Sequence, residues 1–75
     1  MNNSNEKKTL ILGGSHRDIP LIQASQALGH YVITLGAIKT YLGHNYSDKK
    51  FLVDFNDLDA VKQIIENEQI DYILA

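Results

Sequence analysis

The stretch that decides the fold is TLILGGSHRDIPLIQ, Thr9–Gln23. TLILG (Thr9–Gly13) is a continuous apolar run closed by glycine, the pattern of a strand buried on both faces of a parallel sheet. DIPLIQASQALGH then changes period, with Leu21, Ile22, Ser25 and Leu28 falling on one helical face. Asp18 stands where a helix N-cap is expected. Pro20 sits in the first turn, where its missing N–H costs little, and Gly29 suits the left-handed residue that ends a helix. Strand, glycine turn and helix in this order open a βαβ unit.

The rest of the chain repeats the alternation. YVITLG (Tyr31–Gly36) and KFLVDF (Lys50–Phe55) read as strands two and three, and DYILA (Asp71–Ala75) as a fourth. Between the last two, Asp57 can cap a helix carrying Leu58, Val61, Ile64, Ile65 and Glu68 at helical spacing. Asp57 and Asp59 lie at its positive end. Strands alternating with helices call for parallel pairing through right-handed crossovers. The expected fold is therefore α/β, a Rossmann-like open parallel sheet in the order 3-2-1-4, with helices on its faces. A fourth strand ending at Ala75 leaves an uncovered edge. The expectation is a fragment of a longer chain, truncated after strand 4, whose bare edge can also pair two copies into a homodimer.

Bulk properties narrow the function. The chain has 75 residues, 44% of them hydrophobic and 21% charged, with a net charge of −2. A chain this short buries only about 60% of the surface its unfolded form exposes. The seven Lys and Arg are scattered, with only Lys7-Lys8 and Lys49-Lys50 adjacent, which argues against a nucleic-acid surface. Cysteine is absent, so no disulfide framework exists and the reducing cytoplasm is the expected compartment. MNNSNEKK (residues 1–8) reads as a polar, frayed tail, leaving 9–75 as the domain. The apolar run after it is too short for a signal segment or a membrane span.

In open α/β sheets, ligands bind beyond the carboxyl ends of the strands, near the switch point where strand order reverses. The loop Gly13-Gly14-Ser15-His16-Arg17 falls there. Glycines let backbone approach a ligand, the next helix offers unpaired amides, and Arg can hold a carboxylate or phosphate through two bonds. The loop therefore reads as a site for a small anion. The alternative is that its glycines only permit the turn while His16 and Arg17 are solvated. From Gly13 the sequence runs G-G-S-H-R-D, so Ser15 and Asp18 replace the second and third glycines of the dinucleotide fingerprint. ITLGAIKT also supplies no acidic residue for a ribose. A nucleotide or NAD-binding half of an oxidoreductase thus remains an alternative, as does a non-enzymatic assembly module.

Other polar residues are weaker candidates. Gly36, His44 and Tyr46 open on the side of the glycine loop and are candidates for a pocket rim, against the plainer reading of a loop covering the sheet. Asp54 can meet a substrate or cap the turn before the second helix. His16, His30 and His44 lack ligand spacing, so no metal site is expected. His30 reads as a surface residue at a helix C-terminus. Glu66, Asn67 and Glu68 read as solvated helix surface. No nucleophile–base pair is present, so no catalytic residue is assigned.

LILGGSHRDIPLIQASQALGHYVITLG resembles the opening of the ATP-grasp superfamily, the pre-ATP-grasp domain of biotin carboxylase, the carbamoyl phosphate synthase large chain and purine-pathway carboxylate–amine ligases. The likeness lies in the apolar strand and Gly-Gly turn, the alanine-bearing helix that ends in Leu-Gly (Ala24, Ala27, Leu28, Gly29) and the strand Tyr31–Leu35. Ser47-Asp48 and Asp54-Phe55-Asn56-Asp57 match the acidic steps around strand 3, Ser47 departing from the usual alanine. The resemblance implies one domain of an ATP-dependent ligase that works through an acyl phosphate. ATP and Mg²⁺ would be bound by further domains of the same polypeptide. Gly13, Gly14, Ser15, His16 and Arg17 would position a carboxylate or phosphorylated substrate, and this domain alone would be inactive.

Overall fold

The structure is a computed structural model that describes residues 6–38 and 41–74. Strand β1 (Lys8–Leu12) leads through a short 3-10 turn (His16–Asp18) into helix α1 (Ile19–Ala27) and strand β2 (Tyr31–Leu35). A connection containing a second 3-10 turn (Leu42–Asn45) reaches β3 (Lys49–Phe51). Helix α2 (Leu58–Glu68) and β4 (Tyr72–Leu74) follow. The sheet is wholly parallel in the order β3-β2-β1-β4, as the alternating pattern implies. Leu10 pairs with Ile33 on one side and Ile73 on the other.

Strand alternation sorts the core into two layers. Leu10, Ile33 and Leu35 face α2 and pack with Ile64, while Ile11 and Val32 face α1 and pack with Ile22. The steps β1 to β2 and β3 to β4 run in opposite directions across the sheet, so crossovers of one hand put the two helices on opposite faces. Ile22 has no exposed surface, and burying such a side chain is worth about 1.5–3 kcal/mol. Thr9 and Thr34 also lie on the α1 side of β1 and β2, and both are buried.

Several boundaries differ from the sequence reading. Residues 1–5 of the expected tail and Ala75 of the expected fourth strand lie outside the described residues, and Lys8 belongs to β1. Strand β3 stops at Phe51 because the chain turns at Asp54, whose carboxylate accepts from the Asn56 amide at 2.9 Å while its carbonyl accepts from Asp57. Such local side-chain bonds compete with a ladder. On α1 only Ile22 and Ser25 are buried. Leu21 and Leu28 are 37% and 76% exposed, because the sheet beneath this face narrows to the short edge strand β4. Leu58 opens α2 and is likewise exposed. Glu68 is not solvated surface: it bonds Lys49 Nζ at 2.8 Å and lies 3.7 Å from Lys8 Nζ. Among the described residues no helix is long and apolar enough to cross a membrane.

Candidate functional site

The glycine loop leaves β1 at the carboxyl end of the sheet. Gly13 and Gly14 have φ of +131° and +88°, where side chains are strained, so the reversal needs glycine twice. The Gly13 amide extends the sheet by donating to Leu35 O at 2.7 Å. The amides of Gly14 and Ser15 both donate to Asp18 Oδ2, at 2.9 and 3.0 Å, with Ser15 Oγ at 3.4 Å from the same oxygen. Asp18 does occupy the N-cap position of α1. Its carboxylate nevertheless makes no cap bond to that helix and turns back into the loop. Two of the amides expected to cradle an external anion are thus satisfied by the chain's own carboxylate. The cause is local: a carboxylate three or four residues on is tethered at high effective concentration, and it forms charge-assisted bonds.

Ser15 is half-buried, whereas His16 and Arg17 are exposed and their side chains have no hydrogen-bond or ion-pair partner among the described residues. Their side chains stand at the outer face of the loop. Gly36 is buried directly beyond β2, and a methyl group there would overlap the carbonyl oxygen of Gly13. Its role is to let the glycine loop cross the end of β2.

His44 is not on a rim. It is 2% exposed, its ring packs against Gly14, and its amide donates to Gly14 O at 3.1 Å. A Cβ on Gly14 would stand 2.6 and 2.7 Å from the two ring nitrogens, so glycine here also makes room for the imidazole. Gly43 packs as closely on the carbonyls of Gly14 and Ser15. Nδ1 of His44 is 2.8 Å from Thr34 Oγ1, which is 2.9 Å from Ser47 Oγ. Nε2 is buried without a partner among the described residues. Burial pushes the His44 pKa down, the nearby Lys50 ammonium pushes it further, and the Asp18 carboxylate opposes both. Tyr46 is exposed, and its carbonyl accepts from Gln26 of α1 at 2.9 Å, which ties it to the helix rather than to the loop. Asp48 accepts from the Val32 amide at 2.8 Å and so fixes the approach to β3. Asp54 caps its own turn.

Two threonine–histidine pairs escaped the sequence reading. Besides Thr34–His44, Thr9 Oγ1 lies 2.8 Å from His30 Nδ1. His30 is therefore no simple surface residue: it is half-buried and stacks on Tyr72 with ring centres 5.5 Å apart. Beside it an open apolar hollow of about 300 Å³ runs between α1 and β4, walled by Leu21, Ala24, Leu28, Tyr72 and Leu74. The only signal for either pair was a threonine on the same strand face in β1 and in β2.

No protein-family model matches the chain, and no curated protein matches it. Solved structures do. The chain is similar to glycinamide-RNase-transformylase T from Mycobacterium tuberculosis, with a TM-score of 0.81 and 24% identity over 89% of this chain and 19% of that one. It is also similar to N5-carboxyaminoimidazole ribonucleotide synthetase from Thermotoga maritima, with a TM-score of 0.72 and 21% identity over 81% of this chain and 17% of that one. These likenesses establish a shared fold, and the chain spans less than a fifth of the length of either protein.

Proposed function

We propose that this chain is the N-terminal domain of an ATP-grasp ligase of the carboxylate–amine type, contributing substrate contacts and no catalytic group. The observation that carries the reading is the agreement of fold over 89% of the chain with one ATP-grasp ligase, on a sequence that resembles that superfamily over nearly its whole length from Lys8. ATP and Mg²⁺ would be held by downstream domains of the same polypeptide. A carboxylate would be activated there as an acyl phosphate and captured by an amine or similar nucleophile.

The part left to this domain is narrower than an amide cradle. With Gly14 and Ser15 N–H engaged by Asp18, the groups available to a small anionic substrate are the Ser15 hydroxyl and the exposed side chains of His16 and Arg17. Gly13, Gly14 and Gly36 shape the loop that presents them. Arg17 can hold a carboxylate or phosphate through two parallel bonds. A carboxylate already seated at the loop also disfavours a dinucleotide, whose pyrophosphate would meet it. The test is carboxylate-dependent ADP formation by the full polypeptide, assayed over a panel of small acids. Arg17→Ala should raise the half-saturating acid concentration by about 10- to 150-fold, the equivalent of a lost charged hydrogen bond of about 1.5–3 kcal/mol, and leave that of ATP unchanged. An unchanged acid dependence would remove Arg17 from the site and favour a purely architectural domain.

A further inference from the structure

The Thr34–His44–Ser47 cluster has too few protons to leave its arrangement open. Ser47 Oγ carries one, which it donates to His44 O at 2.9 Å. Between Ser47 Oγ and Thr34 Oγ1, 2.9 Å apart, Thr34 must then be the donor. That spends the only proton of Thr34. Toward His44 Nδ1, 2.8 Å away, Thr34 can only accept, so Nδ1 carries the imidazole hydrogen. This is the minor tautomer of a free histidine side chain. Nε2 is left with its lone pair, buried beside Gly14 and without a donor among the described residues.

Protonation of that ring has one place to go. It would create a second N–H, on Nε2, in a buried position with no acceptor among the described residues, and would place a full charge there. The groups that face it do not offset this. Asp18, from the turn before α1, attracts a cation but is already bonded to two amides, and its pull is outweighed by burial and by Lys50, from β3, which repels a cation. Thr34 of β2 and Ser47 of the connection are neutral, and each has already donated its only proton. We propose that residues 41–48 form a strap over the glycine loop with His44 as its latch: neutral, with hydrogen on Nδ1, it seats on Gly14, and protonation at Nε2 unseats it. Leaving Gly14 also breaks the His44 N–H···O bond to the Gly14 carbonyl, so the strap and the loop separate together. This inference is independent of the ligase reading, since it concerns only contacts within the chain.

The test is long-range ¹H–¹⁵N NMR of the histidine rings in the wild-type chain, followed through a pH titration. The expected result is a neutral His44 protonated on Nδ1, with a midpoint below that of free histidine. The amide resonances of Gly14 and Ser15 should shift with that same midpoint, and exchange at the His44 amide should rise. His44→Gln, which does not titrate in this range, should lose that midpoint. If this variant does not fold, the wild-type tautomer and midpoint decide alone. A neutral ring carrying its hydrogen on Nε2 overturns the proposal. So does protonation of His44 that leaves the Gly14 and Ser15 resonances in place.

Discussion

Replacing Asp18 tests the closed glycine loop most directly. In the native chain its Oδ2 accepts from the Gly14 and Ser15 amides at 2.9 and 3.0 Å, and the 3.4 Å approach of Ser15 Oγ adds little. Hydrogen bonds to a charged group contribute about 1.5–3 kcal/mol each when buried. The loop is half-exposed, so water can re-solvate the amides, and the two bonds together should be worth about 2–3 kcal/mol. Asp18→Ala should lose all of this, and Asp18→Asn, which keeps an acceptor oxygen without its charge, about 1 kcal/mol. In a domain of this size each kcal/mol moves Tm by about 4–8 °C, so the alanine variant should melt roughly 10–20 °C lower. Urea unfolding followed by circular dichroism reads both. The alanine variant also empties the two amides, so inorganic phosphate should restore its stability, by about 2.7 kcal/mol at 100 times its Kd, comparable to the loss. A loss under about 0.5 kcal/mol for Asp18→Ala would refute the reasoning. Equal stabilisation of wild type by phosphate would do the same, because it would mean that Asp18 does not hold the amides.

Other perturbations follow from the same geometry. Gly36→Ala drives a methyl into the Gly13 carbonyl, a backbone atom that cannot step aside, and should cost about 3 kcal/mol or more, seen as loss of the cooperative unfolding transition. On α1, Ile22→Ala should cost about 2–5 kcal/mol while Leu28→Ala, at the C-cap just past the end of that helix, stays within about 0.5 kcal/mol in urea unfolding. The pKa of His44 is lowered on folding, so its neutral form is favoured in the native state. Stability should be full above the unfolded pKa of about 6.5 and decline as pH falls from there toward the folded value, a decline that His44→Gln abolishes. Glu68, held low chiefly by its hydrogen bond to Lys49, contributes stability above its ordinary carboxylate range and loses it as pH falls through its depressed value. Because this pair is at the surface, Glu68→Gln should cost less than about 1 kcal/mol, and less still in high salt.

What the sequence made legible, and what it hid, divides along one physical line. Sheet order, helix placement and the glycine turn follow from periodicity and connection rules, which depend on residue class alone. Leu10, Ile11, Ile33 and Leu35 sit inside because any apolar residue at those positions would. The site depends on where individual polar atoms find partners, and periodicity carries no information about that. Asp18 looked like a helix cap because its position is one, yet its carboxylate had two outlets: the first amides of α1 ahead, and the stretched amides of Gly14 and Ser15 behind. The backward pair wins because two glycines at positive φ turn their neighbouring amides onto one oxygen. His44 was placed by a longer chain of dependence. Thr34 faces α1 because of strand register, the connection after β2 crosses the glycine loop, and Gly14 leaves room for a ring there. Each condition is ordinary, and only their coincidence buries the histidine. Of the groups that the sequence offered as a rim, Gly36 and His44 are thus drawn inward to close the loop, Tyr46 is tied to α1 and Asp54 to its own turn, while the side chains of His16 and Arg17, which make no such internal bonds among the described residues, are left facing outward.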